Sequence, residues 1–276
     1  MWRQKKYECG MFCEAEIFTI SGRTKKFQRA KRVKESCPAQ RNLNNKRAQR
    51  YFVRLVHSNF TEEDLYLDLT YEGENLPSTR KEVKRDIKNY IERLKRFRKK
   101  MGLSPLKYIY VVSNTDNNGN KVRLHCHMII NGMDRDAAER LWAHSRCNSD
   151  RLQFDEYGVT GKSLYMARQA AATKEDDLGK GEKTWGYSLG LIKPEPIVSD
   201  KAITATMAEK IMRNPEDRAL FEKMYAGWTF TDCKIEEDLI NGTRFYIRLR
   251  KYEDVGKHNR DLAAKTIREA SRRMNK

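Results

Sequence analysis

The sequence predicts an α+β fold built on an antiparallel sheet, and three observations carry that reading. Asp64-Leu65-Tyr66-Leu67-Asp68-Leu69-Thr70-Tyr71 alternates apolar and other residues, the stretch after Thr79 has apolar residues at helical spacing, and two later apolar runs are joined by a polar turn. Alternation at period two marks a strand, spacing of three and four marks a helix, and a short Asn- and Gly-bearing link between strands marks a hairpin. The order is strand, helix, strand, hairpin, strand.

In chain order, residues 7 to 20 alternate loosely through Tyr7, Phe12, Ile17, Phe18 and Ile20, as a strand or hairpin would. From Arg23 to Arg50 the chain is crowded with Lys, Arg, Asn and Gln and almost lacks acids. Such a stretch buries little surface and suits an arm or exposed helix that meets phosphates. Order returns at Arg50-Tyr51-Phe52-Val53-Arg54-Leu55-Val56, ahead of a turn near Asn59. In the strand that follows, Leu65, Leu67 and Leu69 share the core face.

Gly73 and Pro77 break the chain, and Thr79-Arg80-Lys81-Glu82 has the form of a capping box. The helix after it buries Val83, Ile87, Tyr90, Ile91, Leu94 and Phe97 and ends at Gly102. Lys107 to Val112 is the next strand, and Asp116-Asn117-Asn118-Gly119-Asn120 turns the chain into Arg123 to Asn131. Asp134 can cap a second helix through Leu141 and Trp142 to about Arg146, and Leu152-Gln153-Phe154 reads as a short strand. Gly161 to Ala172 is rich in helix formers. Beyond Pro194 and Pro196, a short helix is expected at Ala202 to Met212, a strand pair at Trp228 to Cys233 and Thr243 to Leu249, and a basic helix at His258 to Met274. This divides the chain into a basic arm (1–49), a central domain (50–195) and a smaller C-terminal α/β extension (196–276).

Composition narrows the function. Among 276 residues, 39% are hydrophobic, enough for a core, while a net charge of +18 favours a polyanionic partner, nucleic acid first and an anionic membrane surface second. No run of eighteen apolar residues occurs and MWRQKKYECG lacks a signal peptide's apolar stretch, so a cytoplasmic protein without a membrane span is expected. Six scattered cysteines, with no CxxC pair, argue against a disulfide framework; Cys9, Cys13 and Cys37 have no spacing diagnostic of zinc. No G-x-x-x-x-G-K-[ST] sequence is present, which excludes a fused helicase.

Chemistry concentrates in Arg123-Leu124-His125-Cys126-His127-Met128-Ile129-Ile130. On a strand, His125 and His127 point one way and Leu124, Cys126 and Met128 the other. Two imidazoles side by side make half the shell of a divalent metal, or else stand as solvated polar residues on an open sheet face. On the later helix Tyr165, Arg168 and Gln169 are three and four residues apart and project together. A helical tyrosine is ordinarily a core or rim residue. Beside a guanidinium, and downstream of a metal-binding strand in a basic chain, it can instead attack a phosphodiester while the cations steady added charge.

These segments resemble the HUH endonucleases. His125-Cys126-His127-Met128-Ile129-Ile130 looks like their histidine-hydrophobe-histidine motif, and Tyr165-Met166-Ala167-Arg168 is similar to their Y-x-x-K motif with Arg for Lys. Asp64 to Tyr71 looks like the first motif of the rolling-circle replication initiators, and Trp185-Gly186-Tyr187-Ser188-Leu189-Gly190-Leu191-Ile192-Lys193-Pro194 is similar to a segment closing the nuclease domain in a bacterial and phage branch. The resemblance spans residues 50 to 195.

It implies a ferredoxin-like core whose central strands carry the histidines. It also implies Mg2+ or Mn2+ on His125, His127 and a third polar residue, which here falls at Asn114, with Asp116 and Glu72 as substitutes. Tyr165 would attack single-stranded or hairpin origin DNA, leaving a 5′-phosphotyrosine link and a free 3′-hydroxyl without ATP. Arg168 would hold phosphate or phenolate, because arginine keeps its proton. Lys162 and Gln169 would contact DNA. Tyr157 lies in a Gly-containing turn, so a single-tyrosine scheme is favoured. A host helicase and polymerase are the implied partners. Two other readings remain open: a single-tyrosine transposase or relaxase with the same chemistry, and a non-catalytic module that stacks single-stranded nucleic acid on its sheet.

Overall fold

A computed structural model describes residues 1–20, 38–116, 120–144, 146–172, 183–238 and 242–251. In chain order these form β1 (Trp2–Cys9), β2 (Phe12–Thr19), α1 (Pro38–His57), β3 (Leu65–Leu69), α2 (Arg80–Lys100), β4 (Tyr108–Thr115), β5 (Lys121–Ile130), α3 (Arg135–Arg140), β6 (Cys147–Arg151), α4 (Thr160–Ala172), β7 (Trp185–Tyr187), β8 (Ile197–Ser199), α5 (Ala205–Arg213), α6 (Arg218–Met224), β9 (Thr229–Asp238) and β10 (Gly242–Arg250). The fold is α+β with two antiparallel five-stranded sheets, one in each of two units.

The unit containing Ala48–Ile192 holds the sheet β6-β3-β5-β4-β7. Helix α2 starts where expected: the Thr79 hydroxyl accepts from the Glu82 amide and the Glu82 carboxylate accepts from the Thr79 amide. That reciprocal pairing satisfies amides which the first helical turn leaves without partners. Gly102 follows with φ +65°, the left-handed conformation that closes a helix cheaply only at glycine. Val83, Ile87, Tyr90, Ile91 and Leu94 of α2 pack on Leu65, Leu67, Leu69, Val112, Cys126, Met128 and Ile130. Each fully buried apolar side chain contributes roughly 1.5–3 kcal/mol, so this face anchors β3 and β5.

The opposite sheet face is also covered. Phe52, Leu55 and Val56 of α1, with Met166 and Ala167 of α4, pack on Tyr66, Ile109, Val111 and Ile129. Because α4 lies over the face that carries the even-numbered residues of β3 and the histidines of β5, its inward side chains meet them.

Below the sheet's end, Arg98 donates to the carbonyls of Ser104, Asn131 and Gly132. Asp64 accepts from the amides of Thr61 and Gly132, each at 2.7 Å. These buried charges tie the start of β3 to the end of β5.

The second unit draws on both ends of the chain, Met1–Arg47 and Lys193–Val255, with sheet order β8-β1-β2-β10-β9. Cys13, Ala15, Ile17, Phe245, Ile247 and Leu249 pack under Ala208 and Ile211 of α5 and Phe221 of α6.

Several expectations change. The first twenty residues form a β-hairpin built into this sheet rather than part of an arm, because β2 finds its ladder partner in β10, more than two hundred residues away. Helix α1 crosses residue 50, and Arg50 to Val56 is its last two turns. Asp134 caps its helix through the Ala137 amide, yet α3 closes at Arg140. The strand expected at Leu152 to Phe154 lies earlier, at Cys147–Arg151, where it pairs with β3. The helix expected at 258–274, most of the 23–50 stretch before Pro38, and the tip of the 116–120 turn lie outside the described residues. Among the described residues no helix is long and apolar enough to cross a membrane.

Candidate active site

Register brings the site together. In the β3–β5 ladder Asp68 stands opposite His127, and in the β4–β5 ladder Ser113 stands opposite His125 and Val111 opposite His127. Directly opposed residues share a face, so Asp68, His125, His127 and Ser113 all turn towards α4. Cys126 and Met128 lie in the α2 core, as alternation requires.

The histidines are held by their Nδ1 atoms. His125 Nδ1 is 2.9 Å from the Arg123 carbonyl, which can only accept, so this nitrogen carries the proton. His127 Nδ1 lies 2.5 Å from Asp68 Oδ1 and 2.8 Å from the Tyr66 hydroxyl. Burial raises the Asp68 carboxyl, but hydrogen bonds from His127 and Tyr66 outweigh it and hold the group below its ordinary value. The ionised Asp68 therefore takes the His127 Nδ1 proton. Burial lowers the His125 imidazole below its ordinary value, which favours its neutral form.

Both Nε2 atoms are left with lone pairs, and they face each other at 3.1 Å. Two lone pairs at that distance repel unless something positive stands between or beside them. Two nitrogens bound at about 2.1 Å to one ion, at near-right angles, stand roughly 3 Å apart. The donor set thus fits a divalent cation, with Asp68 orienting one ligand from behind. Among the described residues no cluster of three His, Cys, Asp or Glu groups suited to an ion occurs, so any further ligands are of another kind.

Tyr165 completes the pocket: its hydroxyl is 3.2 Å from His127 Nε2 and its ring lies edge-on to that imidazole, centroids 4.9 Å apart. Burial, reinforced by Asp68, raises the phenol above its ordinary value, while Gln169 opposes the shift through a hydrogen bond. The phenol is protonated at neutral pH and must lose its proton to attack.

The remaining expected residues scatter. Gln169, expected to contact DNA, is only 3% exposed, and its amide oxygen accepts from Ser113 Oγ at 2.5 Å and Thr115 Oγ1 at 2.9 Å. It braces α4 on β4. Arg168 is exposed on the helix's other flank, because 300° and 400° of helical rotation place residues 168 and 169 on opposite sides of Tyr165. Asn114 is buried between Ser113 and Thr115, whose hydroxyls both face Gln169; alternation turns Asn114 to the α2 side, away from the histidines. Asp116 accepts from the amide and side chain of Asn120, Glu72 is exposed beyond β3, and the Tyr157 amide bonds Asp155 in a turn. Lys162 does reach the site: its Nζ lies over the Tyr66 ring, 4.3 Å from the centroid. Asp68 and Tyr66 were missed as site residues; their signal was the polar face of the β3 alternation, readable only with the ladder partner known.

Fold and site together define an α+β protein with a paired-imidazole pocket under a helix-borne phenol. Residues 64–172 match the model of a family of replication-associated proteins of the ORF2 type. The matched segment runs from just before β3 to the end of α4 and takes in Asp68, both histidines and Tyr165. This likeness associates the chain with DNA replication. No curated protein and no solved structure matched the chain.

Proposed function

We propose that the protein nicks and rejoins single-stranded or hairpin DNA at a replication origin, as a metal-dependent endonuclease of the HUH kind that initiates rolling-circle replication. The observation that carries this reading is the Tyr165 hydroxyl 3.2 Å from His127 Nε2, in the pocket where the two imidazole lone pairs converge.

In this scheme His125 and His127 hold Mg2+ or Mn2+, which supplies Lewis acidity at a nonbridging oxygen of the scissile phosphate. Asp68 keeps the His127 Nδ1 proton and so keeps Nε2 available. Gln169, fixed by Ser113 and Thr115, steadies the phenol through the helix turn they share. The Tyr165 oxygen gives up its proton and bonds to phosphorus as the P–O3′ bond breaks. The departing oxygen takes a proton and becomes a 3′-hydroxyl, leaving a 5′-phosphotyrosine. One phosphodiester replaces another, so the step is reversible without ATP. The free 3′-hydroxyl is a primer end, which makes a host polymerase and helicase the fitting partners. The basic balance of +18 suits the DNA backbone.

The test is incubation of the full chain with a labelled single-stranded DNA pool and Mn2+, followed by denaturing electrophoresis and peptide mapping. A covalent adduct on Tyr165, absent in Tyr165→Phe, is expected. No adduct, or one that persists in Tyr165→Phe, refutes the assignment.

A further inference from the structure

We propose that Lys162, one helical turn before the nucleophile, supplies the cation that meets the scissile phosphate, the part the motif resemblance gives to Arg168. The proposal rests on the nicking reading above and assigns a residue within it.

The two cations of α4 sit differently. Residues 162 and 165 are three apart on the helix and share its sheet-facing side. Lys162 Nζ lies 4.3 Å from the centre of the Tyr66 ring, and Tyr66 is the residue whose hydroxyl is 2.8 Å from His127 Nδ1. The Tyr66 and His127 rings are near-parallel, 19° apart with centroids 5.9 Å apart. The ammonium therefore stands at the rim of the imidazole pocket, close enough for its field to bear on the Asp68 carboxylate. Arg168 projects from the other flank, exposed, and among the described residues it makes no hydrogen bond, ion pair or ring contact.

Nothing in this arrangement uses up the lysine. Its side chain is exposed, and a ring face holds an ammonium less strongly than a phosphate oxygen does. A compact point charge on a four-carbon stem can leave the Tyr66 face and close on a phosphate delivered to the pocket, where the phenol and imidazoles already converge. There it offsets the charge that builds on the nonbridging oxygens as the Tyr165 oxygen bonds to phosphorus. The lysine of the motif is thus present in this chain, displaced to the turn before the tyrosine.

The test compares Lys162→Met, Lys162→Arg and Arg168→Met in single-turnover nicking of a labelled single-stranded DNA with Mn2+, at saturating and limiting DNA. Lys162→Met keeps the stem and removes the charge. It is expected to lower the saturated rate about 100-fold with the adduct still on Tyr165, while DNA affinity changes only a few-fold. Lys162→Arg should recover most of the rate, and Arg168→Met should leave the saturated rate near wild type. Full-rate nicking by Lys162→Met at saturating DNA, or a loss in affinity alone, overturns the assignment, as does a rate loss carried by Arg168→Met instead. If Lys162→Met fails to fold, Lys162→Arg and Arg168→Met decide the matter, and a rate loss in either refutes the assignment. Should wild type itself form no adduct, the nicking reading falls and takes this assignment with it; a wild-type adduct with an indifferent Lys162 removes this assignment only.

Discussion

The Nε2 atoms of His125 and His127 stand 3.1 Å apart with both Nδ1 protons committed elsewhere, one to the Arg123 carbonyl and one to the Asp68 carboxylate. This polarity suits the pocket to a cation before any DNA arrives. Mn2+ should bind the free protein, and His125→Ala should weaken binding by at least about 100-fold, since half of the paired-nitrogen donor set is gone. Titration followed by Mn2+ electron paramagnetic resonance measures this directly, and equal affinity in the variant would remove the pocket from consideration as a metal site.

Asp68 acts from behind the ligand. Asp68→Asn keeps the shape but can present an amide to Nδ1, which frees the imidazole to take the wrong tautomer. Metal affinity should drop about 10- to 100-fold, the usual cost of losing such a partner. The same titration checks it, with Asp68→Glu expected to recover part of the loss.

Arg98 is a stability residue. It is buried and donates to the carbonyls of Ser104, Asn131 and Gly132, so Arg98→Met strands three acceptors. Unfolding free energy should fall by about 3 kcal/mol, read from urea denaturation. A change under about 0.5 kcal/mol, the level of an ordinary surface substitution, would show that water takes the place of the guanidinium.

Asp64 sets a pH dependence. Burial raises its carboxyl to about 6, against partial compensation from the Thr61 and Gly132 amides. A carboxyl whose folded value lies above its unfolded value of about 3.9 contributes stability that is complete below that lower value and is lost as pH rises through about 6. Between pH 4 and pH 6 this group alone should cost about 2–3 kcal/mol. Denaturation midpoints across pH 4–7 should therefore slope less steeply downward, or more steeply upward, in Asp64→Asn than in wild type. Parallel curves would show that Asp64 keeps an ordinary carboxyl.

Much of the pocket was legible from local pattern. The alternation of β5 set the common face of His125 and His127, the capping box at Thr79 and Glu82 set the start of α2, and the apolar residues of α2 named their own core partners. Each of these depends on residues within one element, where period two or three-and-a-half fixes direction. The third ligand, the DNA contacts and the phosphate cation were not legible in this way. Asn114 looked available because it precedes the hairpin, but the hydroxyls on either side of it take the α4 face. Gln169 and Arg168 looked equivalent beside Tyr165, yet the helix's rotation puts one into β4 and the other into solvent.

Alone, the sequence determined which segments become strands and helices, that the two imidazoles of β5 share a face, and that the chain carries enough positive charge for a polyanion. Only the tertiary structure decided that Asp68 and Tyr66 stand behind His127, that Lys162 reaches their pocket, and that the first hairpin joins the last strands in a sheet of its own. The reason is physical: backbone periodicity is written in neighbouring residues, whereas ladder register and helix docking are settled by burial between segments far apart in the chain.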